Sequence, residues 1–124
     1  MALYSDVIRE RFRRPRFRGT LEAPDAVFED VNPLCGDRIR VECRVADGRI
    51  ADARFTGDSC AIAAAAADVL IELALGRTVE GAHALGVPDV LERLEADIRP
   101  ARMKCVALPI DVLHGALDGK EVAR

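Results

Sequence analysis

Three of the four cysteines stand where a thiol is placed to react and not merely to pack. Cys35 lies inside the turn-forming stretch Asn32-Pro33-Leu34-Cys35-Gly36-Asp37, Cys60 follows Gly57-Asp58-Ser59, and Cys105 follows Arg102-Met103-Lys104. The last two open apolar, helix-forming runs. A thiol at a helix N-terminus meets unpaired N–H groups and the positive end of the macrodipole, which favours its thiolate and lowers its pKa. Arg102 and Lys104 push Cys105 the same way. Asp37, two residues after Cys35, adds a carboxylate. Cys35, Cys60, Cys105 and Asp37 then form a Cys3Asp tetrahedron, suited to Zn²⁺ or to iron in a sulfide-bridged cluster. The carboxylate is the harder, weaker ligand, so the set predicts a labile site. The separations of 25 and 45 residues are not those of a zinc ribbon. On residue types alone, unconnected buried thiols remain the competing reading. Cys43 differs: it alternates with charged residues in a strand pattern and reads as a small core hydrophobe.

These thiols need elements to bring them together. Leu3, Val7, Ile8 and Phe12 share one side of a helix over about residues 3–13, ended by Pro15 and Gly19. An apolar-polar stretch follows at 26–31. Ile39, Val41, Cys43 and Val45 alternate with Arg38, Arg40, Glu42 and Arg44, a half-buried strand. Asp47-Gly48 marks a hairpin, and Ile50 to Thr56 continues as a strand with Ala51, Ala53 and Phe55 on one face. The second half changes period. A helix from about Cys60 to Leu75 is predicted, capped by Ser59 or Asp58 and closed by Gly76. Only Asp68 and Glu72 interrupt its apolar run, so it is buried against the sheet. Thr78 caps a short helix to about Leu85, and Pro88 opens another ending near Ala96. The last helix runs from Lys104 or Cys105 to about Leu117, with Cys105, Leu108, Val112, Leu113 and Ala116 inward. That start keeps Pro109 near the first turn, where its missing N–H costs least.

At 124 residues the chain is one domain, 1–124. Aromatics make up 4% and Trp is absent, so the core is built from Ala, Val, Leu and Ile. The net charge of −3 conceals six arginines in residues 1–18 against Asp6 and Glu10. Arg9, Arg11, Arg13, Arg14, Arg16 and Arg18 read as the solvated face of the first helix. No aromatic interleaving points to nucleic acid. No run approaches the roughly 20 apolar residues that span a bilayer, and Asp6, Arg9, Glu10 and Arg11 break up any signal-peptide core. The chain reads as cytoplasmic, with no membrane partner and with thiols that are reduced or bound to metal. His83 and His114 read as surface or core residues.

The ordered blocks "RRPRFRG" at 13–19, "NPLCGD" at 32–37, "GDSCAIA" at 57–63 and "RMKCVAL" at 102–108 resemble the iron–sulfur cluster assembly scaffold family of IscU, SufU and the NifU N-terminal domain. The resemblance covers about residues 3–117. It implies an α+β fold of the NifU N-terminal/SufE-like kind: a three-stranded antiparallel sheet with helices, including N- and C-terminal ones, packed on one face. It also implies a metal or cluster site at Cys35, Asp37, Cys60 and Cys105. The implied partners are a pyridoxal-phosphate cysteine desulfurase, which delivers sulfur as a persulfide, and downstream apo iron–sulfur proteins or carriers. Lys104 before Cys105, and Cys60 running into Ala61-Ile62, are similar to the SufU branch. The short Cys60–Cys105 separation leaves no room for that branch's insertion. Ile98-Arg99-Pro100-Ala101-Arg102 keeps one proline and the basic end of the chaperone-recruiting Leu-Pro-Pro-Val-Lys motif of the IscU branch.

Two activities follow from the resemblance. In the first, a scaffold builds and hands on a [2Fe–2S] cluster on the Cys3Asp set. In the second, Zn²⁺ rests in the same ligands and the chain is a sulfurtransferase. Cys35 is the expected persulfide acceptor, with Cys105 as alternative, and Arg102 and Lys104 supply supporting charge. A structural zinc domain is a third reading, which the weak carboxylate argues against. Tyr4 and the "RRPRFRG" block are expected in a docking surface.

Overall fold

Alternation of Ile39, Val41 and Cys43 with Arg38, Arg40 and Glu42 makes Asp37–Ala46 the central strand, β2. Ala26–Asn32 (β1) and Arg49–Thr56 (β3) pair with it on either side, both antiparallel. The computed structural model describes residues 5–34 and 36–119. Leu3, Tyr4 and Cys35 therefore lie outside the described residues. Asp47 and Gly48, with φ of 53° and 73°, close the β2–β3 hairpin in the conformation that an Asp-Gly pair accommodates. The register slips between Arg44 and Val45, so that Arg44 faces Asp52 while Val45 faces Ile50. This irregularity reverses the inward set at the start of β3. Ile50 is buried and Ala51 is exposed, against the expected Ala51-Ala53-Phe55 face.

Helices α1 (Asp6–Arg13), α2 (Ala61–Ala74), α3 (Val79–His83), α4 (Val87–Leu94) and α5 (Met103–Leu117) complete the α+β fold. α5 packs across β1 and β2, and α2 packs against β3, α1 and α5. The alanines of α2 explain its depth: Ala63 to Ala67 are all buried, and their small side chains bring the helix close to its neighbours. Thr78 caps α3 through its hydroxyl, and Gly76, with φ of 82°, ends α2 as expected.

Two expectations about helices change. A 3₁₀ turn at Pro100–Arg102 leads directly into α5, which starts at Met103 and encloses Pro109. Pro109 therefore sits in the helix interior, where it has no N–H to give the Cys105 carbonyl. The burial of Val106, Leu108, Ile110 and Val112 holds the helix through that gap. In α1, Ile8 is buried but Phe12 is 47% exposed. The inward position belongs instead to Arg11, whose Nη1 lies 2.9 Å from Asp68 Oδ2 and whose Nη2 lies 2.6 Å from Glu72 Oε1. The two acidic residues of α2 are thus the seat of an arginine that the sequence assigns to solvent.

Candidate metal centre

Three element ends meet at one rim of the sheet. The turn before β2 is shaped by Asn32: its Oδ1 accepts from Leu34 N at 3.0 Å and its carbonyl from Gly36 N at 2.8 Å. Gly36 takes φ of 75°, a left-handed conformation that glycine reaches without strain. Asp37 then pairs with Asn32 and opens β2 with its side chain buried.

Cys60 is the N-cap of α2. Its backbone is extended, and its Sγ accepts a hydrogen bond from Ala63 N at 3.4 Å. The cap is therefore the thiol itself, not Ser59 or Asp58 as the sequence predicts. Sulfur is an acceptor here because the first-turn N–H groups have no partners within the helix. The Cys60 N–H donates to Asp37 Oδ1 at 3.0 Å, which ties the two loops together. Cys105 occupies the first turn of α5 and is 1% exposed. Ligand atoms of Asp37, Cys60 and Cys105 all lie within 4.8 Å of one another. They line an open cavity of about 240 Å³ together with Ala101, Arg102 and Lys104.

The charges around this cavity are unequal. A hydrogen bond to Cys60 and the proximity of Cys60 and Cys105 hold the Arg102 guanidinium above its ordinary pKa. Burial, a hydrogen bond with Cys60 and the charges of Cys60 and Asp37 push the Cys105 thiol up to about 12, outweighing the downward pull of Arg102. This overturns the expected depression. The helix start and Arg102 are present, but the first turn of α5 is packed into the core, where a lone thiolate is costly. A cation held by this set would displace that proton, because only the thiolate ligates. Two soft thiols and one carboxylate at this separation fit a borderline metal or an iron–sulfide unit.

The structure thus brings together three of the four expected ligands and places both supporting cations beside them. Cys35, the fourth, lies outside the described residues. Cys43 is fully buried in β2, and desolvation pushes its thiol to about 12, as a packed hydrophobe requires. His83 and His114 stack on each other with ring centroids 4.5 Å apart, and His114 Nε2 lies 2.9 Å from the Leu85 carbonyl. They join α3 to α5 and take no part in the site. Sequence reasoning missed the groups that hold the Cys60 loop: Arg38 N donates to the Asp58 carbonyl at 2.8 Å, and Arg18 Nη2 donates to the Gly57 carbonyl at 2.8 Å. Neither carries a pattern, since each pairs residues distant in the chain.

Residues 3–120 match the family described as the NifU-like N terminal domain. The chain is 35% identical over 115 residues to iron–sulfur cluster assembly scaffold protein IscU 1 of Archaeoglobus fulgidus, covering 93% of this chain and 74% of that protein. It is 31% identical to the zinc-dependent sulfurtransferase SufU of Bacillus subtilis, covering 96% and 92%. That alignment runs over 137 positions although this chain has only 124 residues, so the relative carries residues absent here. Among solved structures, an iron–sulfur cluster assembly scaffold protein for the SUF system from Fervidobacterium islandicum superposes with a TM-score of 0.80 at 26% identity, covering 93% of this chain and 96% of that one. The family match spans nearly the full length, and relatives above 30% identity and a superposable solved structure agree with it: this chain belongs to the NifU-like N-terminal domain family.

Proposed function

We propose that the chain is an iron–sulfur cluster assembly protein of the cytoplasm that accepts sulfur from a cysteine desulfurase and assembles and transfers a [2Fe–2S] cluster. The observation that carries this reading is the convergence of Asp37, Cys60 and Cys105, with ligand atoms within 4.8 Å, on an open cavity. Cys35, two residues before Asp37 in the chain, supplies the fourth ligand and the first sulfur acceptor. Its thiolate attacks the outer sulfur of the donor persulfide, the donor S–S bond breaks, and the donor leaves as a thiolate. An external reductant then supplies two electrons for each sulfur that enters the cluster as sulfide. Arg102 and Lys104 offset the anionic charge of the loaded site, and the single carboxylate keeps the cargo exchangeable for apo-protein acceptors.

A second reading rests on Lys104, which lines the cavity beside Cys105 and is a SufU-like feature. In this reading Asp37, Cys60 and Cys105, with Cys35, would hold Zn²⁺, which would keep the thiolates deprotonated and shielded, and the chain passes sulfur on without building a cluster. One experiment separates the two. The purified protein is assayed for metal, then mixed anaerobically with a cysteine desulfurase, cysteine, Fe²⁺ and a thiol reductant. A coloured protein with thiolate-to-iron charge-transfer absorption, able to activate an apo-ferredoxin, is the expected result. Stoichiometric zinc, strong stimulation of desulfurase turnover and no chromophore would establish the sulfurtransferase instead.

A further inference from the structure

The arginine-rich block at 13–19 contributes no ligand, yet its last residues run to the site. Phe17, Arg18 and Gly19 lie along the end of β3. Phe55 N donates to the Phe17 carbonyl at 3.0 Å, Gly19 N donates to the Phe55 carbonyl at 2.9 Å, and Arg18 bridges Phe55 in parallel. At one end of this strap, Phe17 N donates to Asp68 Oδ1 at 2.8 Å, in the body of the helix that Cys60 caps. At the other, Arg18 Nη2 donates to the Gly57 carbonyl at 2.8 Å, three residues before Cys60.

The loop from Gly57 to Cys60 is pressed on the start of β2. Arg38 N donates to the Asp58 carbonyl at 2.8 Å, and Arg38 Nη2 lies 3.0 Å from Asp58 Oδ2. Gly57 takes φ of 143°, and a Cβ there would lie 1.9 Å from the Arg38 carbonyl oxygen. Backbone cannot yield to such a contact, so any side chain lifts the loop from the strand. The residue before Arg38 is Asp37, which accepts the Cys60 N–H.

We infer that Gly57 and Arg18 are positioning residues for Cys60. Gly57 lets the loop lie against β2, and Arg18 fixes it there through the Gly57 carbonyl. Together they set the Cys60 N–H on Asp37 and its thiol toward Cys105. Neither residue is a ligand; both act on where a ligand stands. A ligand set works only when held within about 0.5 Å of its productive geometry, and groups that orient ligands typically change metal affinity by 10–100-fold. The inference rests on the metal-centre reading above.

The test uses the full chain with Co²⁺ as probe. In Arg18→Ala, Co²⁺ binding, read from thiolate-to-cobalt charge-transfer absorption, weakens by about 10-fold. Exchange of the Cys60 amide hydrogen quickens by a similar factor, while the thermal midpoint without added metal stays within about 2 °C of wild type. Arg18→Lys, which keeps a long cationic donor at this position, is expected to restore most of both. Gly57→Ala is expected to lose the cobalt signature; should it fail to fold, the two Arg18 variants decide. Wild-type binding and exchange in Arg18→Ala overturn the inference. So does a thermal midpoint that falls in step with affinity and is not rescued by lysine. Failure of the wild-type chain to bind Co²⁺ through thiolates overturns the metal-centre reading instead, and Cys60 amide exchange in Arg18→Ala still decides the role of Arg18.

Discussion

Asp37 has two tasks, and they separate on substitution. Its carboxylate is a member of the proposed ligand set, and the same group accepts the Cys60 N–H at 3.0 Å. Asp37→Asn keeps an acceptor and removes the anionic ligand. The half-life of the bound cluster is expected to lengthen while thermal stability is little changed; a shorter half-life would refute the role of the carboxylate in lability. Asp37→Ala removes both functions and leaves the Cys60 amide without that partner, so it should also cost about 1–2 kcal/mol in denaturant unfolding. Cys43 gives a pH prediction away from the site. Its folded pKa of about 12 lies above the ordinary 9.0. The folded state keeps the proton that the unfolded chain gives up. The contribution of the buried neutral thiol is therefore fully present below pH 9 and is lost as pH rises toward 12, by up to about 1.4 kcal/mol per unit. Cys43→Ala should flatten this alkaline limb of a stability–pH curve; an unchanged slope would assign the loss elsewhere.

At the scale of elements, the position of Cys105 depends on how closely α5 approaches the sheet. Gly115 makes that approach possible, since a Cβ there would lie 2.5 Å from Phe28 Cδ2 on β1. Gly115→Ala should force the ring aside or lift the helix, destabilising the protein by about 1–3 kcal/mol. The same lift moves Cys105 away from Cys60, so a matching loss of thiolate–cobalt absorption is expected. Destabilisation with an intact cobalt spectrum would show that the two ends of α5 move independently. The start of α5 and the register slip in β3 carry a common lesson. Periodicity located both elements, but Pro109 in a helix interior and Ala51 facing out are set by neighbours: the apolar surroundings of α5 and the pairing of Val45 with Ile50.

At the scale of the molecule, α1 is fastened by charge as well as by Ile8. Burial works against the Arg11 guanidinium, but the Asp68 and Glu72 carboxylates more than offset it and raise its pKa. Arg16 and Arg93 reach the same Glu72 carboxylate at 3.1 and 3.5 Å. Asp68 is fully buried, so Arg11→Met leaves it with an uncompensated charge, at a cost of about 3–5 kcal/mol. The double variant Arg11→Met/Asp68→Leu should recover part of that loss in urea unfolding. Equal losses in the single and double variants would mean that the ion pair is not the source.

The sequence by itself determined the α+β order, the ordered cysteine blocks and the chemistry of the candidate ligand set. Strand alternation, helix period and thiols at element ends are local properties that each segment carries with it. Cys43 could be set aside for the same reason: its neighbours show which side of the strand it occupies. Only the tertiary structure decided that Asp37 lies beside Cys105 and holds the Cys60 N–H, that Arg11 is buried, and that the Cys105 thiol is raised and not lowered. Each of these depends on groups far apart in the chain. Arg18 and Gly57 lie 39 residues apart, as do Arg11 and Asp68 by 57, and no pattern along the chain records a hydrogen bond that only folding creates.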